Sequence, residues 1–252
     1  VCGGNERRGF HVIYERMSVT QVPAVEAFYH ALTGAYAYLV YDPRAREGVV
    51  VDPILDFDRR SGAVATVPAE QMLARIRELQ LQVPWILETH AHADHLSAAA
   101  YMKDALGCQV ATGAGVCEVQ ITAAHMFDLE PQFATDGSQF EQLWNDGDRF
   151  RVGDIACSVI ATPGHTPDSV TYLIGDCAFV GDTLFLPYLG TARCDFPGAS
   201  AADLYDSIRK LYRLPDATRV MVGHDYPQSP GDAAYCSDVR SEMQSNVHLS
   251  SA

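Results

Sequence analysis

Seven side chains able to bind a cation stand at four places where an apolar run gives way to a turn. His90, His92, Asp94 and His95 fall within Thr89-His90-Ala91-His92-Ala93-Asp94-His95, directly after the apolar stretch Val83–Glu88. His165 lies in Thr162-Pro163-Gly164-His165-Thr166-Pro167, Asp182 in Gly181-Asp182-Thr183, and His224 in Gly223-His224-Asp225-Tyr226. Imidazole nitrogen and carboxylate oxygen together suit zinc or iron, and no thiolate is clustered with them. Residues two apart on an extended segment project to one side, so His90 and His92 are expected to face a common space. Asp94 and His95 are expected at the start of a helix. A single histidine is more often a core or surface residue than a ligand. An H-x-H-x-D-H run followed in order by G-H, G-D and G-H turns is hard to obtain except as a metal centre.

Such a centre requires four strand ends to converge, which α/β folds arrange because strand ends are rigid and the loops beyond them vary. The pattern predicts strands at Ala35–Val40 and Gly48–Val51, joined by a turn through Asp42-Pro43. From Pro68 a helix is expected, with Met72, Leu73, Ile76 and Leu79 on one face. Val83–Glu88 reads as a buried strand, Leu96–Leu106 as a helix, Gln109–Thr112 as a short strand and Gly115–Ala124 as a helix. Residues 125–150 read as a long loop rich in Asp, Gly and Gln. Ile155–Ala161 is a predicted strand, and Val170–Ile174 with Ala178–Val180 a hairpin around Gly175-Asp176. Ala201–Leu214 is a predicted helix and Arg219–Val222 a strand. Hairpins early in each half and alternation with helices later ask for an α/β fold: a layered αβ/βα sandwich with two mixed β-sheets face to face. A single domain is expected over residues 17–252. Val1–Arg16 precede Met17-Ser18-Val19-Thr20, which looks like a natural start, and are read as upstream sequence.

Composition narrows the function. With 48% hydrophobic and 20% charged residues among 252, the chain is that of an ordinary globular protein, not a disordered one. Its apolar runs have strand length, well short of the ~20 residues that span a bilayer. A net charge of −14 disfavours nucleic acid and anionic membrane as partners. The basic residues are scattered singly or in pairs such as Arg7-Arg8 and Arg59-Arg60, so an anionic ligand must be met by a few placed cations. The seven cysteines are odd in number, form no C-x-x-C and sit partly in apolar runs. Reduced thiols in a cytoplasmic protein are therefore expected rather than a disulfide framework.

The four motifs resemble the metallo-β-lactamase superfamily over about residues 35–226. The resemblance implies that family's four-layer sandwich, and Asp52 as the buried aspartate that orients the histidine loop without binding metal. Gly190-Thr191-Ala192-Arg193-Cys194-Asp195-Phe196 and the His224-Asp225-Tyr226 triplet resemble the persulfide dioxygenase branch. Glu88–Ala99 and Asp136–Phe140 resemble a bacterial subgroup labelled β-lactamase hydrolase-like, whose members usually continue past Asn246–Leu249. The dioxygenase branch implies one Fe(II) held by His90, His165 and Asp182. This 2-His-1-carboxylate set leaves three positions open, with His92, Asp94, His95 and His224 around it.

Hydrolases resembling glyoxalase II, which share the phrase Gly181-Asp182-Thr183-Leu184-Phe185, imply two Zn(II) instead. His90, His92 and His165 would then hold one zinc and Asp94, His95 and His224 the other, with Asp182 bridging. All seven residues are present, so composition leaves both metals open and only the downstream motifs favour iron. The dioxygenase resemblance implies glutathione persulfide, O2 and water as reactants, and glutathione and sulfite as products. Arg193 is expected to fork onto the charge of the thiol substrate, or else to form a structural pair with Asp195. Tyr226 offers either a hydroxyl or a packed aromatic ring. Lys210 reaches the glutathione backbone or lies on a solvated helix face, and Cys194 reads as structural. A homodimer is expected. Weaker rivals are a non-catalytic metal sensor and a β-lactam hydrolase, the latter disfavoured because Val1–Arg16 lack the apolar core of an export signal.

Overall fold

The computed structural model describes residues 22–129 and 131–249; the expected upstream segment 1–16 lies outside them. In chain order, β1 (Ala24–His30), β2 (Ala35–Asp42) and β3 (Glu47–Val51) form an antiparallel meander, followed by β4 (Ile54–Asp58) and β5 (Ala63–Ala65). Next come α1 (Val67–Leu79), β6 (Gln82–Leu87), β7 (Leu96–Ser97), α2 (Ala99–Leu106), β8 (Gln109–Gly113), α3 (Val116–Met126) and β9 (Gln142–Trp144). The second half holds β10 (Arg149–Val152), β11 (Ile155–Ala161), β12 (Val170–Ile174), β13 (Cys177–Phe179), α4 (Ala201–Leu211), β14 (Arg219–Met221), β15 (Cys236–Asp238) and α5 (Val239–Ser245).

Two six-stranded mixed sheets result, ordered β1-β2-β3-β6-β8-β9 and β10-β11-β12-β13-β14-β15, with a small β5-β4-β7 sheet beside the first. The alternation along β2 explains the layers. Tyr36, Tyr38 and Val40 point between the sheets and meet Ile155, Val159, Tyr172 and Phe179. Ala35, Ala37 and Leu39 point outward, under Met72, Leu73 and Ile76 of α1 and Met102 of α2. On the far face of the second sheet, Ala178, Val180, Val220 and Val222 pack against Leu204, Ile208 and Leu211 of α4 and Val239 of α5. Each sheet thus buries both faces, giving helix, sheet, sheet, helix. This is the expected αβ/βα four-layer sandwich.

Three expectations are corrected. The helix expected from Leu96 starts at Ala99, because Leu96 and Ser97 pair with Leu55 and Ile54 as β7, and the Ala98 amide bonds to Pro53 O at 2.8 Å. Asp94 and His95 therefore lie in an irregular turn, not on a helix. Within residues 125–150, β9 adds a parallel edge strand beside β8, and β10 begins at Arg149. The described residues also include β1, the β4–β5 hairpin, β15 and α5, for which no expectation was stated. Every residue of β1 is only half-buried, as befits an edge strand. The six described cysteines are free. Among the described residues, no helix is long and apolar enough to cross a membrane.

Candidate metal centre

The centre is built where β3, β6, β13 and β14 end and where the turn between β11 and β12 returns. Past β3 the chain turns at Asp52, which adopts φ 49°, an uncommon left-handed conformation for a residue with a side chain. From there Asp52 accepts the Thr89 amide on Oδ1 and the Thr89 hydroxyl on Oδ2, both at 2.7 Å, and so ties the end of β3 to the histidine turn after β6. Asp168 holds the same turn from the other side, accepting the Ala91 amide at 2.8 Å. Gly223 N donates to Gly181 O at 3.0 Å, joining the turns that carry His224 and Asp182. β2 reaches the His224 turn as well, through Tyr36 N to Gly223 O at 2.8 Å.

Hydrogen bonds decide which nitrogen each ligand histidine offers. Thr89 spends its one hydroxyl proton on Asp52, so its oxygen accepts from His90 Nδ1, 3.0 Å away. His165 Nδ1 lies 2.9 Å from the Arg193 carbonyl, which can only accept. Both rings therefore carry their proton on Nδ1 and leave a lone pair on Nε2. Those lone pairs face Asp182 Oδ2 at 3.9 Å and 3.6 Å, too far for hydrogen bonds. His90 is buried, and burial together with the neighbouring His92 pushes its pKa down to about 3, so it is uncharged at neutral pH. Burial alone would raise the Asp182 carboxyl, but the charge and hydrogen bond of His224, then His90, hold it far below the usual carboxylate range. Two imidazole Nε2 atoms and a carboxylate oxygen thus converge, their ligand atoms within 4.8 Å of one another. That donor set fits a divalent metal ion, and His90, His165 and Asp182 would hold it.

The other four residues are arranged differently. His224 sits between two carboxylates, with Nδ1 2.7 Å from Asp182 Oδ1 and Nε2 2.8 Å from Asp94 Oδ2. Both partners only accept, so both ring nitrogens donate and His224 is an imidazolium. Burial opposes that charge, but Asp182 and Asp94 outweigh it and raise the pKa to about 10. Conversely His224 holds Asp94 down at about 2 against its own burial. His92 packs its ring 4.2 Å from that of His90 and 4.3 Å from that of His95. It can group with Asp94 and His95 on one side or with Asp52 and Glu88 on the other, but it does not join His90, His165 and Asp182. His95 is pushed down to about 4 by burial and by His92.

A cavity of about 430 Å³ opens onto His165, Asp182 and His224, walled by Phe185, Phe196 and Tyr226. Besides the His224 imidazolium, its cations are Arg59 and Arg193. Arg193 forks onto Asp195 and stacks its guanidinium 5.0 Å from the centre of Phe196, whose ring meets His165 edge-on. Tyr226 lies parallel to His224 at 5.7 Å. Burial, then Asp182 and Asp94, push its phenol up to about 12, so it remains a donor at neutral pH. Lys210 is not brought to this cavity. α4 turns it toward β11, where its ammonium bonds to Ala161 O at 2.8 Å and approaches Asp146 at 3.3 Å. The Cys194 thiol is pushed up by burial and by Asp195, the opposite of what a nucleophile needs.

Residues 31–224 match the model of the metallo-β-lactamase superfamily. The chain belongs to that superfamily. It is 44% identical over 235 residues to a Burkholderia pseudomallei protein described as a probable metallo-hydrolase, covering 89% of this chain and 80% of that one. It is 32% identical over 195 residues to the human mitochondrial persulfide dioxygenase ETHE1, covering 76% of this chain and 64% of that one. Among solved structures, ETHE1 from Myxococcus xanthus superposes with a TM-score of 0.70 at 29% identity, over 90% of this chain and 84% of that one. The chain spans only 54–56% of the length of β-lactamase hydrolase-like proteins from Xylella fastidiosa and Agrobacterium fabrum.

Within this superfamily frame, sequence reasoning overlooked two side chains. Arg59 was visible only as half of a basic pair, because nothing local shows that the β4–β5 turn leans over the centre. Glu88 reads from the sequence as the last residue of a buried strand. A carboxylate ending an apolar run was the available signal.

Proposed function

We propose that this protein oxidises glutathione persulfide with O2 at a single Fe(II) held by His90, His165 and Asp182. The observation that supports this reading is the division among the seven candidate ligands. Three lone pairs converge, while His224 has both ring nitrogens engaged by carboxylates and His92 is turned aside. Two histidines and one carboxylate leave three neighbouring positions free. Bound there, Fe(II) would supply a binding place for the persulfide sulfur and for O2, and a path for electrons between them. In the overall reaction the S–S bond breaks and the outer sulfur formally gives four electrons to O2. That sulfur leaves as sulfite, with two oxygens from O2 and one from water, and the inner sulfur leaves as glutathione thiol.

The chain's own residues bind and orient. Phe185 and Phe196 wall the cavity and limit water. Tyr226 supplies a protonated hydroxyl, and Arg59 and Arg193 supply positive charge for the carboxylates of glutathione. His224, held by Asp94, fixes one oxygen of Asp182 so that the other faces His90 and His165. Arg193→Ala is expected to raise KM roughly tenfold, the cost of one charge-assisted contact. Iron content should not change, because it is the backbone carbonyl of residue 193 that orients His165. Iron lost from this variant, measured by elemental analysis, would show the side chain to be part of the centre.

The deciding experiment counts metals in protein purified without added metal and follows oxygen with an electrode. About one iron per chain, and O2 consumed in step with sulfite formed from glutathione persulfide, are expected. A second reading, a two-zinc hydrolase, rests on a further cluster of ligand atoms within 4.8 Å of one another, from His92, Asp94 and His95, of which Asp94 and His95 belong to the expected second-zinc set. Iron-loaded protein that consumes no O2, together with zinc-loaded protein that cleaves S-lactoylglutathione, would replace the first reading by the second.

A further inference from the structure

Behind the histidine turn lies a set of donors that the His90–His165–Asp182 centre does not use. A cavity of about 330 Å³ opens there, walled by Glu88, His92, His95, Lys103 and Asp168 among others. Glu88 is 5% exposed, Asp168 1%, and the side chain of His92 6%. Five buried polar atoms around this cavity have no hydrogen-bond partner: Glu88 Oε2, both ring nitrogens of His92, His95 Nδ1 and Asp168 Oδ1. Such atoms are rare in folded proteins, and a cluster of them marks the place of a missing ligand. The carboxylates give its sign as positive. Lys103, the one lysine or arginine on the wall among the described residues, is drawn off by Glu141, and the proton that Asp52 and Glu88 hold on His92 against its burial is what an incoming metal ion would displace.

The spacing gives the ligand's nature. His92 Nε2 stands 3.2 Å from Asp52 Oδ1 and 3.3 Å from Glu88 Oε2, yet neither approach has the direction of a hydrogen bond. Donors about 2.0–2.1 Å from a tetrahedral ion lie roughly 3.3 Å from one another. Asp52, Glu88 and His92 offer three ligand atoms within 4.8 Å. Asp52 already accepts from Thr89 through both oxygens, and each carboxylate oxygen keeps a further lone pair for a cation. The rival grouping of His92 with Asp94 and His95 is weaker, because Asp94 is bonded to His224 at 2.8 Å while Glu88 Oε2 has no partner.

We propose that Asp52, Glu88 and His92 form a second metal site, for a divalent first-row transition ion. It is distinct from the centre at His90 and from the Asp94–His95–His224 set of a two-zinc hydrolase. An ion here would clamp Asp52, whose grip on Thr89 aims His90, and so stiffen the first centre without touching substrate.

The full chain as purified is titrated with Co(II), and total metal per chain is counted after gel filtration. Two ions per chain are expected for the unaltered protein, one for Glu88→Gln and two for Asp94→Asn. One ion in the unaltered protein, or two in Glu88→Gln, would overturn the site. A second ion lost with Asp94→Asn but kept with Glu88→Gln would hand it to the two-zinc arrangement. If Glu88→Gln does not fold, crystals of the unaltered protein soaked in Co(II) serve instead. Anomalous density among residues 52, 88 and 92 supports the site, and density confined to other positions overturns it. The count does not depend on whether the first ion is iron or zinc, so it is separate from the persulfide reading.

Discussion

Asp182→Asn is expected to leave the protein folded and to empty the centre, with metal affinity down more than 100-fold and turnover lost with it. Losing a group outside the ligand set costs about 10–100-fold in affinity or activity, and a ligand that also carries the only negative charge costs more. The fold survives for a reason visible in the hydrogen bonds. An asparagine oxygen can still accept from His224 Nδ1, which now lies 2.7 Å from Asp182 Oδ1. Its amide then faces the lone pairs on His90 Nε2 and His165 Nε2, which Asp182 Oδ2 faces at 3.9 Å and 3.6 Å. Two amide protons satisfy what a cation otherwise would. Thermal unfolding of the metal-free variant should therefore match or exceed that of the metal-free parent, and added metal should no longer raise it. Asp182→Ala lacks this substitute and leaves His224 charged and half-paired, so it should lose stability as well. Metal bound at parental affinity by Asp182→Asn would refute the ligand set.

Much of the fold was legible because its signals are local. The face of α1 follows from Met72, Leu73 and Ile76 at helical spacing, all buried under the first sheet. The strands before the four motifs are apolar runs, and those before His165, Asp182 and His224 have glycine or proline close at both ends. What escaped notice depends on partners far along the chain. β7 exists only because Leu96 and Ser97 find Leu55 and Ile54, and β9 is three residues whose strand character comes from β8. The same divide runs through the candidate centre. Residue types and order pointed to seven candidates, and the resemblance to the dioxygenase branch singled out His90, His165 and Asp182, which the structure brings together, but spacing could not show that His224 is saturated by Asp94 and Asp182. Nor could it show which way His92 turns, because i, i+2 residues share a side only along a regular strand, and residues 89–95 form an irregular turn. Lys210 stayed between two readings for a related reason: helical periodicity gives the face of α4 that carries it, not the loop opposite that face.

Gly164→Ala should lower stability by roughly 3–5 kcal/mol and weaken the metal centre at the same time. Gly164 has φ 144°, where a side chain is strained. A Cβ placed there would stand 2.4 Å from Leu204 N and Cα and 2.5 Å from Leu204 Cβ. These are atoms of the α4 backbone and its first buried residue, so no side-chain rotation relieves the clash. The helix is also fastened to this turn. Ser200 N bonds to Gly164 O at 2.8 Å, Ser207 Oγ to Pro163 O at 2.7 Å, and Ser200 caps the helix through the Asp203 amide. Lifting α4 breaks those bonds and opens the core around Leu204 and Ile208. Moving the turn instead displaces His165, the next residue. At about 2–4 °C per kcal/mol for a chain of this size, Tm should fall by roughly 10 °C, and metal should bind more weakly. Gly231→Ala, where an added Cβ meets nothing within 4 Å, is the control and should change neither. The two site variants then separate the roles: Asp182→Asn loses the ion and keeps the fold, whereas Gly164→Ala loses part of both. A Gly164→Ala protein with the parent's Tm and metal content would mean that α4 does not hold His165 in place.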